Sequence, residues 1–120
     1  MKPISRNARR RAWAPLSCTL PAVKLPQRVA DFDALFTDAV RDIERVGPGR
    51  LRLELRASPQ AAGRAAELAA AETQCCSFFT FTLTATGGGL ALEVSVPEPY
   101  IGVLDRLADR AAARSSGLGW

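Results

Sequence analysis

Three cysteines, Cys18, Cys75 and Cys76, are the side chains of this sequence best suited to chemistry. The sequence contains no histidine, which excludes Ser–His and Cys–His nucleophile pairs, two-histidine zinc motifs and any imidazole acid or base. Adjacent cysteines are poor disulfide partners, because their Cα atoms lie about 3.8 Å apart whereas disulfides prefer about 4.4–6.8 Å. We therefore expect Cys75 and Cys76 to remain two thiols unless another group bridges them.

A soft metal or metalloid ion is the group that two neighbouring thiols favour. Hg(II) or As(III) can bridge two sulfurs, and thiolates also select Cu(I) and, as a borderline case, Zn(II). If the segment around Cys18 folds back, it supplies a third sulfur for a trigonal thiolate site. The negative end of a helix disfavours a thiolate without a cation, whereas a coordinated thiol is deprotonated. The opposing interpretation is that the cysteines are small apolar side chains buried without a chemical role.

One acidic residue accompanies the pair. Glu72 precedes Cys75 by three residues and Cys76 by four, so on a helix all three share one side. Glu72 could take up a proton on metal loading or provide an oxygen ligand. A solvated position on the helix surface is the simpler interpretation of the same residue.

The cysteine pair lies at a predicted junction between a helix and a strand. Ser58 and Pro59 predict a helix start, as a capping residue followed by proline at the first helical position, and alanine-rich sequence continues the helix to about Cys75. Apolar residues alternate with threonine over 79–85, and leucine or valine occupies every second position over 90–96, which predicts a hairpin around a glycine-rich turn. The phenylalanines after the pair would anchor this hairpin in the core and hold the thiols rigidly.

The rest of the chain repeats this arrangement of helix and hairpin. Residues 27–36 have apolar side chains at helical spacing, and residues 50–56 alternate leucine with charged residues. Residues 40–46 could continue the helix or form a strand, and the Gly-Pro-Gly turn after them favours a hairpin. A last helix from Pro99 has a predicted inner face of Ile101, Leu104, Leu107 or Ala108, and Ala111. The order predicts an α+β fold, an antiparallel sheet of about four strands from two hairpins, covered on one face by two or three helices.

Basic residues are concentrated at the N-terminus. The net charge of +4 depends on five cationic residues near the start, which are Lys2, Arg6, Arg9, Arg10 and Arg11. We predict a basic, proline-containing arm over residues 1–26, a single α+β domain over 27–114 and a frayed tail over 115–120. No basic face with aromatic side chains follows the arm, so we do not expect nucleic-acid binding. No apolar run suits a membrane span or an export signal, so we expect a cytoplasmic protein with reduced thiols.

Three segments resemble a group of small bacterial proteins, mainly from actinobacteria. The segments run from Ser17 to Leu20, from Arg28 to Phe36 and from Glu72 to Phe81. The pattern of the group is an early Ser-Cys-Thr-Leu and a later Glu-x-x-Cys-Cys-x-Phe before a strand hairpin. The group is associated with responses to thiophilic metals, mercury in particular, so the resemblance implies Cys18, Cys75 and Cys76 as metal ligands. Ser77 stands where relatives often have proline.

Three hypotheses for function follow, and we favour the first. The first is a cytoplasmic protein that binds a soft metal ion through Cys18, Cys75 and Cys76. The second is an enzyme with one of two activities. By chemical analogy with organomercurial lyases, it cleaves organomercurials with Glu72, Cys75 and Cys76. Alternatively, it does redox chemistry through a disulfide from Cys18 to Cys75 or Cys76. The third is a structural or interaction module whose thiols fill the core and which forms a homodimer through the exposed face or edge of its sheet.

Overall fold

A computed structural model describes residues 25–115. Along the chain it has helix α1 (Leu25–Ala39), strands β1 (Val40–Gly47) and β2 (Arg50–Leu55), helix α2 (Pro59–Cys75), strands β3 (Thr80–Thr86) and β4 (Gly89–Ser95), a 3-10 turn (Glu98–Tyr100) and helix α3 (Ile101–Arg114). The predicted order of helix, hairpin, helix, hairpin and helix is confirmed. The predicted arm over 1–26 lies outside the described residues except for its last two positions, which begin α1.

Residues 40–46, for which the sequence left helix and strand open, form a strand. Helix α1 extends to Ala39, beyond the predicted end at residue 36, and β1 begins at the next residue. The segment is extended because it pairs with β2, where Ile43 lies opposite Leu53. Two register shifts interrupt this pairing. Such irregularities bend a strand and increase its twist.

The four strands form one antiparallel sheet in the order β1-β2-β4-β3. The two hairpins meet through β2 and β4, which places Leu53 opposite Leu92 on the face that packs against the helices. On the other face, Arg52 lies opposite Glu93 and the two side chains form an ion pair. The sheet therefore has one apolar and one polar face, as the alternation predicts, and the α+β fold class is confirmed.

The turn between β3 and β4 depends on two glycines. Gly87 has φ of 57° and Gly88 has φ of 81°. Two successive residues in the left-handed region form the hairpin turn whose twist matches that of the strands, and glycine adopts this conformation without steric cost. The predicted glycine-rich turn is confirmed at these positions.

The helices cover the apolar face of the sheet. Helix α2 is capped by Ser58, whose hydroxyl accepts a hydrogen bond from the Ala61 backbone N–H at 3.1 Å. Helix α3 buries Val103, Leu104, Leu107 and Ala111, so Val103 replaces Ile101 in the predicted inner face. Ser115, the first residue of the predicted frayed tail, is buried, and its hydroxyl donates to the backbone oxygens of Ala111 and Phe36. The packed domain thus includes residue 115.

Within residues 25–115, no helix is long and apolar enough to cross a bilayer.

Candidate functional site

The cysteine pair occupies the C-terminal end of α2, where the sequence predicts it. Cys75 is the last helical residue and Cys76 is the capping residue that follows. The Cys76 backbone N–H donates to the carbonyl oxygen of Glu72 at 2.7 Å, and the Cys76 carbonyl accepts from the Phe79 N–H at 3.2 Å. The backbone of the pair is therefore held by hydrogen bonds on both sides.

The two cysteines differ in burial and in bonding state. Cys76 is 1% exposed and takes part in a disulfide. Cys75 is half-buried and stays out of the disulfide. The expectation that the two neighbours do not bond to each other is confirmed, but the expectation that both remain thiols is wrong for Cys76. Cys18, the third predicted site residue, lies outside the described residues.

Glu72 is a buried residue and not a solvated one. Its side chain is 1% exposed, and its carboxylate accepts a hydrogen bond from the Arg28 guanidinium at 2.7 Å. Burial raises the pKa of Glu72 above its usual range, because removing a carboxylate from water disfavours its charged form, and the ion pair with Arg28 only partly offsets this. The surface interpretation of Glu72 is thus wrong, and the carboxylate belongs to the interior beside the pair.

Arg28 connects Glu72 with Cys75. The guanidinium nitrogen that donates to Glu72 also lies 4.0 Å from the sulfur of Cys75, at the outer limit for a hydrogen bond to sulfur. Burial lowers the pKa of Arg28, but its contacts with Glu72 and Cys75 outweigh this, so the net direction is upward. The Arg28 side chain is 15% exposed and therefore remains charged at the border of the core.

Sequence reasoning did not include Arg28 among the site residues, although one signal for it was present. Arg28 precedes Phe32 by one helical turn, so it lies on the apolar stripe of α1 that packs into the core. A cation on a buried stripe requires an anionic partner. Glu72, on the buried side of α2, is the partner that satisfies this requirement.

Aromatic side chains support the site from the other side. Phe78 stacks on Tyr100 with ring centroids 4.2 Å apart and an interplanar angle of 3°. Phe79 is buried and contacts both Phe78 and Phe81, at centroid separations of 4.6 and 5.4 Å. These contacts pack the segment that follows Cys76 into the core, as predicted.

A cleft reaches Arg28 from solvent. It lies between α1 and α2, has a volume of about 380 Å³ and is lined by Arg28, Asp31, Ala34, Arg64, Glu67, Leu68 and Ala71. Arg28, which lines this cleft, also lies 4.0 Å from the Cys75 sulfur. A small molecule could therefore approach the guanidinium without displacing core side chains.

The described part of the site does not by itself form a metal centre. Within residues 25–115, no three histidine, cysteine, aspartate or glutamate side chains are grouped so that they could hold a metal ion. Cys76 offers a disulfide sulfur here, whereas the predicted ligand was a thiolate. Only two of the three predicted ligands lie in the described range, so the site with Cys18 stays a prediction.

Comparison of the sequence with protein-family models, with curated proteins and with solved structures gives no significant match. Any assignment of function therefore depends on the cysteines, Glu72 and Arg28 themselves.

Proposed function

We propose that the protein carries out thiol–disulfide exchange through the cysteines at the end of α2. The observation that supports this function is the contrast between two neighbours, since Cys76 is buried in a disulfide while Cys75 is half-buried outside it. When a disulfide-bonded cysteine has a second cysteine beside it in the chain, the thiolate of that neighbour can attack the disulfide and form a new one within the same molecule. This is the redox alternative of the second sequence-based hypothesis.

Cys18 is the proposed partner of Cys76. The sequence has three cysteines, and Cys75 is outside the disulfide, which leaves Cys18 as the partner that one chain can offer. Such a bond closes a loop of roughly 60 residues, for which chain entropy predicts about 4 kcal/mol of stabilisation. Reduction should therefore lower the free energy of unfolding by about that amount.

The exchange reaction balances with an external thiol as reductant. A thiolate of the reductant attacks one sulfur of the Cys18–Cys76 disulfide, forms a mixed disulfide and releases the other sulfur as a thiolate. A second reductant thiol attacks the mixed disulfide and releases the oxidised reductant. The net result transfers two electrons and two protons to the protein and leaves two thiols.

Cys75 offers an internal route. Its thiolate attacks the Cys18 sulfur, forms a Cys18–Cys75 disulfide and expels Cys76 as a thiolate, so no net oxidation occurs. Arg28, 4.0 Å from the Cys75 sulfur, supplies positive charge to an attacking thiolate.

A redox titration with thiol quantification tests the proposal. The protein is equilibrated in thiol–disulfide buffers of graded potential, alkylated and analysed by peptide mass spectrometry. We expect one two-electron transition, with Cys18 and Cys76 protected together at the oxidising end. Cys18→Ser should abolish the transition, because Cys75 and Cys76 do not bond to each other, whereas the matched control Cys75→Ser should keep it. Three alkylated cysteines across the whole range of potentials would overturn the proposal.

Soft-metal binding is the second candidate, and it concerns the reduced protein. Reduction of the proposed disulfide would release two thiols beside Cys75, which supplies the three sulfurs predicted as ligands for Hg(II), As(III), Cu(I) or Zn(II). We expect metal affinity only after reduction, with a loss of at least about tenfold, or 1.4 kcal/mol, in the double variant Cys75→Ala/Cys76→Ala. Equal affinity of the oxidised and reduced forms would exclude these sulfurs as ligands.

A cytoplasmic location, also proposed, fits both candidates. Disulfides in a reducing compartment are usually transient and serve catalysis or sensing. The protein would then alternate between a reduced form with three thiols and an oxidised form with one. Cleavage of organomercurials is less well supported, because Glu72 is held by Arg28 in the interior and is not an exposed acid.

A further inference from the structure

The two edge strands of the sheet differ in how they are protected from pairing with another chain. Strand β1 carries the charged residues Arg41, Asp42, Glu44 and Arg45, and two register shifts interrupt its pairing with β2. Strand β3, at the other edge, has the sequence TFTLTAT and pairs with β4 without interruption. It therefore lacks charge, proline and bulge, the devices that usually prevent association of edges.

Strand β3 is also poorly covered by the helices. Its residues are exposed except for Phe81, which is half-buried. Leu83 is 37% exposed although its neighbour Leu92, opposite on β4, belongs to the core. An open cleft of about 440 Å³ lies between the turn of the β3–β4 hairpin and the start of α2, with Pro59, Ala62 and Ala85 among its lining residues. Among residues 25–115, no element fully covers the apolar side of this edge.

We propose that β3 is the interface of a homodimer, in which the β3 strands of two copies pair antiparallel and join two four-stranded sheets into one. A twofold axis near Leu83 would place the two copies of Leu83 opposite each other and Thr82 opposite Thr84 of the second copy. Threonine pairs and apolar pairs across strands are favourable, and no like charges meet. The pairing also satisfies the backbone N–H and C=O groups of β3 that point away from β4.

A second copy suits this edge better than the N-terminal arm of the same chain. The arm contains Pro3, Pro15 and Pro21 and six basic residues among residues 1–24. Its longest run without proline or charge is the five residues from Leu16 to Leu20, shorter than the seven of β3. Proline removes a hydrogen-bond donor from a strand, so the arm would pair only in part.

The test is the oligomeric state of the full chain as a function of concentration. Sedimentation or light scattering, with a reductant present, should show a dimer fraction that rises with concentration. The double variant Thr82→Lys/Thr84→Lys brings lysines of the two copies together and should remain monomeric over the same range. Val46→Lys is the matched control, because Val46 is 40% exposed and lies on β1, at the other edge of the sheet. The Val46→Lys variant should therefore dimerise as the wild type does.

Hydrogen exchange distinguishes the outcomes and does not depend on folding of the variants. In the wild type, the β3 amides that point away from β4 should gain protection as the concentration rises. A monomer at every concentration overturns the proposal. If those amides are protected in that monomer, another segment of the same chain covers the edge. The proposal is also overturned if the dimers disappear when reductant is added. It is likewise overturned if the Val46→Lys substitution weakens dimerisation as strongly as the double variant does.

Discussion

Replacement of Arg28 by methionine removes the positive charge beside Glu72 and keeps most of the apolar stem that packs against the core. Breaking a buried ion pair by removing one partner costs about 3–5 kcal/mol. The Glu72 side chain is 1% exposed, but that of Arg28 is 15% exposed and keeps some contact with water. We therefore expect Arg28→Met to lower the free energy of unfolding by about 2–3 kcal/mol at neutral pH.

The cost should depend on pH, and its sign follows from the pKa of Glu72. Burial already raises this pKa in the folded protein, so the folded state binds a proton more tightly than the unfolded state, and stability falls as pH rises from the unfolded toward the folded pKa. Loss of Arg28 raises the folded pKa further and widens this interval. The variant should thus lose up to about 1.4 kcal/mol of stability per pH unit within the interval.

Urea denaturation at a series of pH values, with the disulfide kept oxidised, measures this effect. The destabilisation by Arg28→Met should be smaller near about pH 5, where Glu72 is closer to neutral, and larger near about pH 8. The double variant Arg28→Met/Glu72→Gln lacks the titrating carboxyl and should show no such pH dependence. A cost that does not change with pH, or one below about 0.5 kcal/mol, would refute the description of Glu72 as a buried carboxylate held by Arg28.

Three further predictions concern the stability of the fold and use the same denaturation assay. Leu53→Ala should cost about 2–5 kcal/mol, since Leu53 is 1% exposed at the centre of the sheet, and a cost under about 1 kcal/mol would contradict that burial. Ser58→Ala should cost about 1 kcal/mol by removing the cap on the Ala61 N–H, and no change in the urea midpoint would mean that the cap is replaced. Gly88→Ala should lower the free energy of unfolding by about 1 kcal/mol, because φ is positive at residue 88. Gly63→Ala, inside α2 with open space around its Cβ position, should instead raise it by about 0.5–1 kcal/mol. Equal effects of the two glycine substitutions would contradict the positive φ at Gly88.

Local patterns in the sequence determined the elements and their faces. The alternation of leucine with charged residues over 50–56 predicts β2 and its buried face, and Ser58 with Pro59 predicts the start of α2. The adjacency of Cys75 and Cys76 also excluded a bond between them, as found. These predictions succeed because each depends on the conformation of a few consecutive residues, which their own side chains control.

Other features were decided by the tertiary structure. The pairing of Arg28 with Glu72 joins residues 44 positions apart, and the order β1-β2-β4-β3 sets which strands become edges. Periodicity shows that a residue faces inward, but it does not identify the residue that it meets there. Within residues 25–115, the Arg28–Glu72 ion pair and the position of β3 at an edge therefore emerge only when the helices and strands pack together, because each depends on elements distant in the chain.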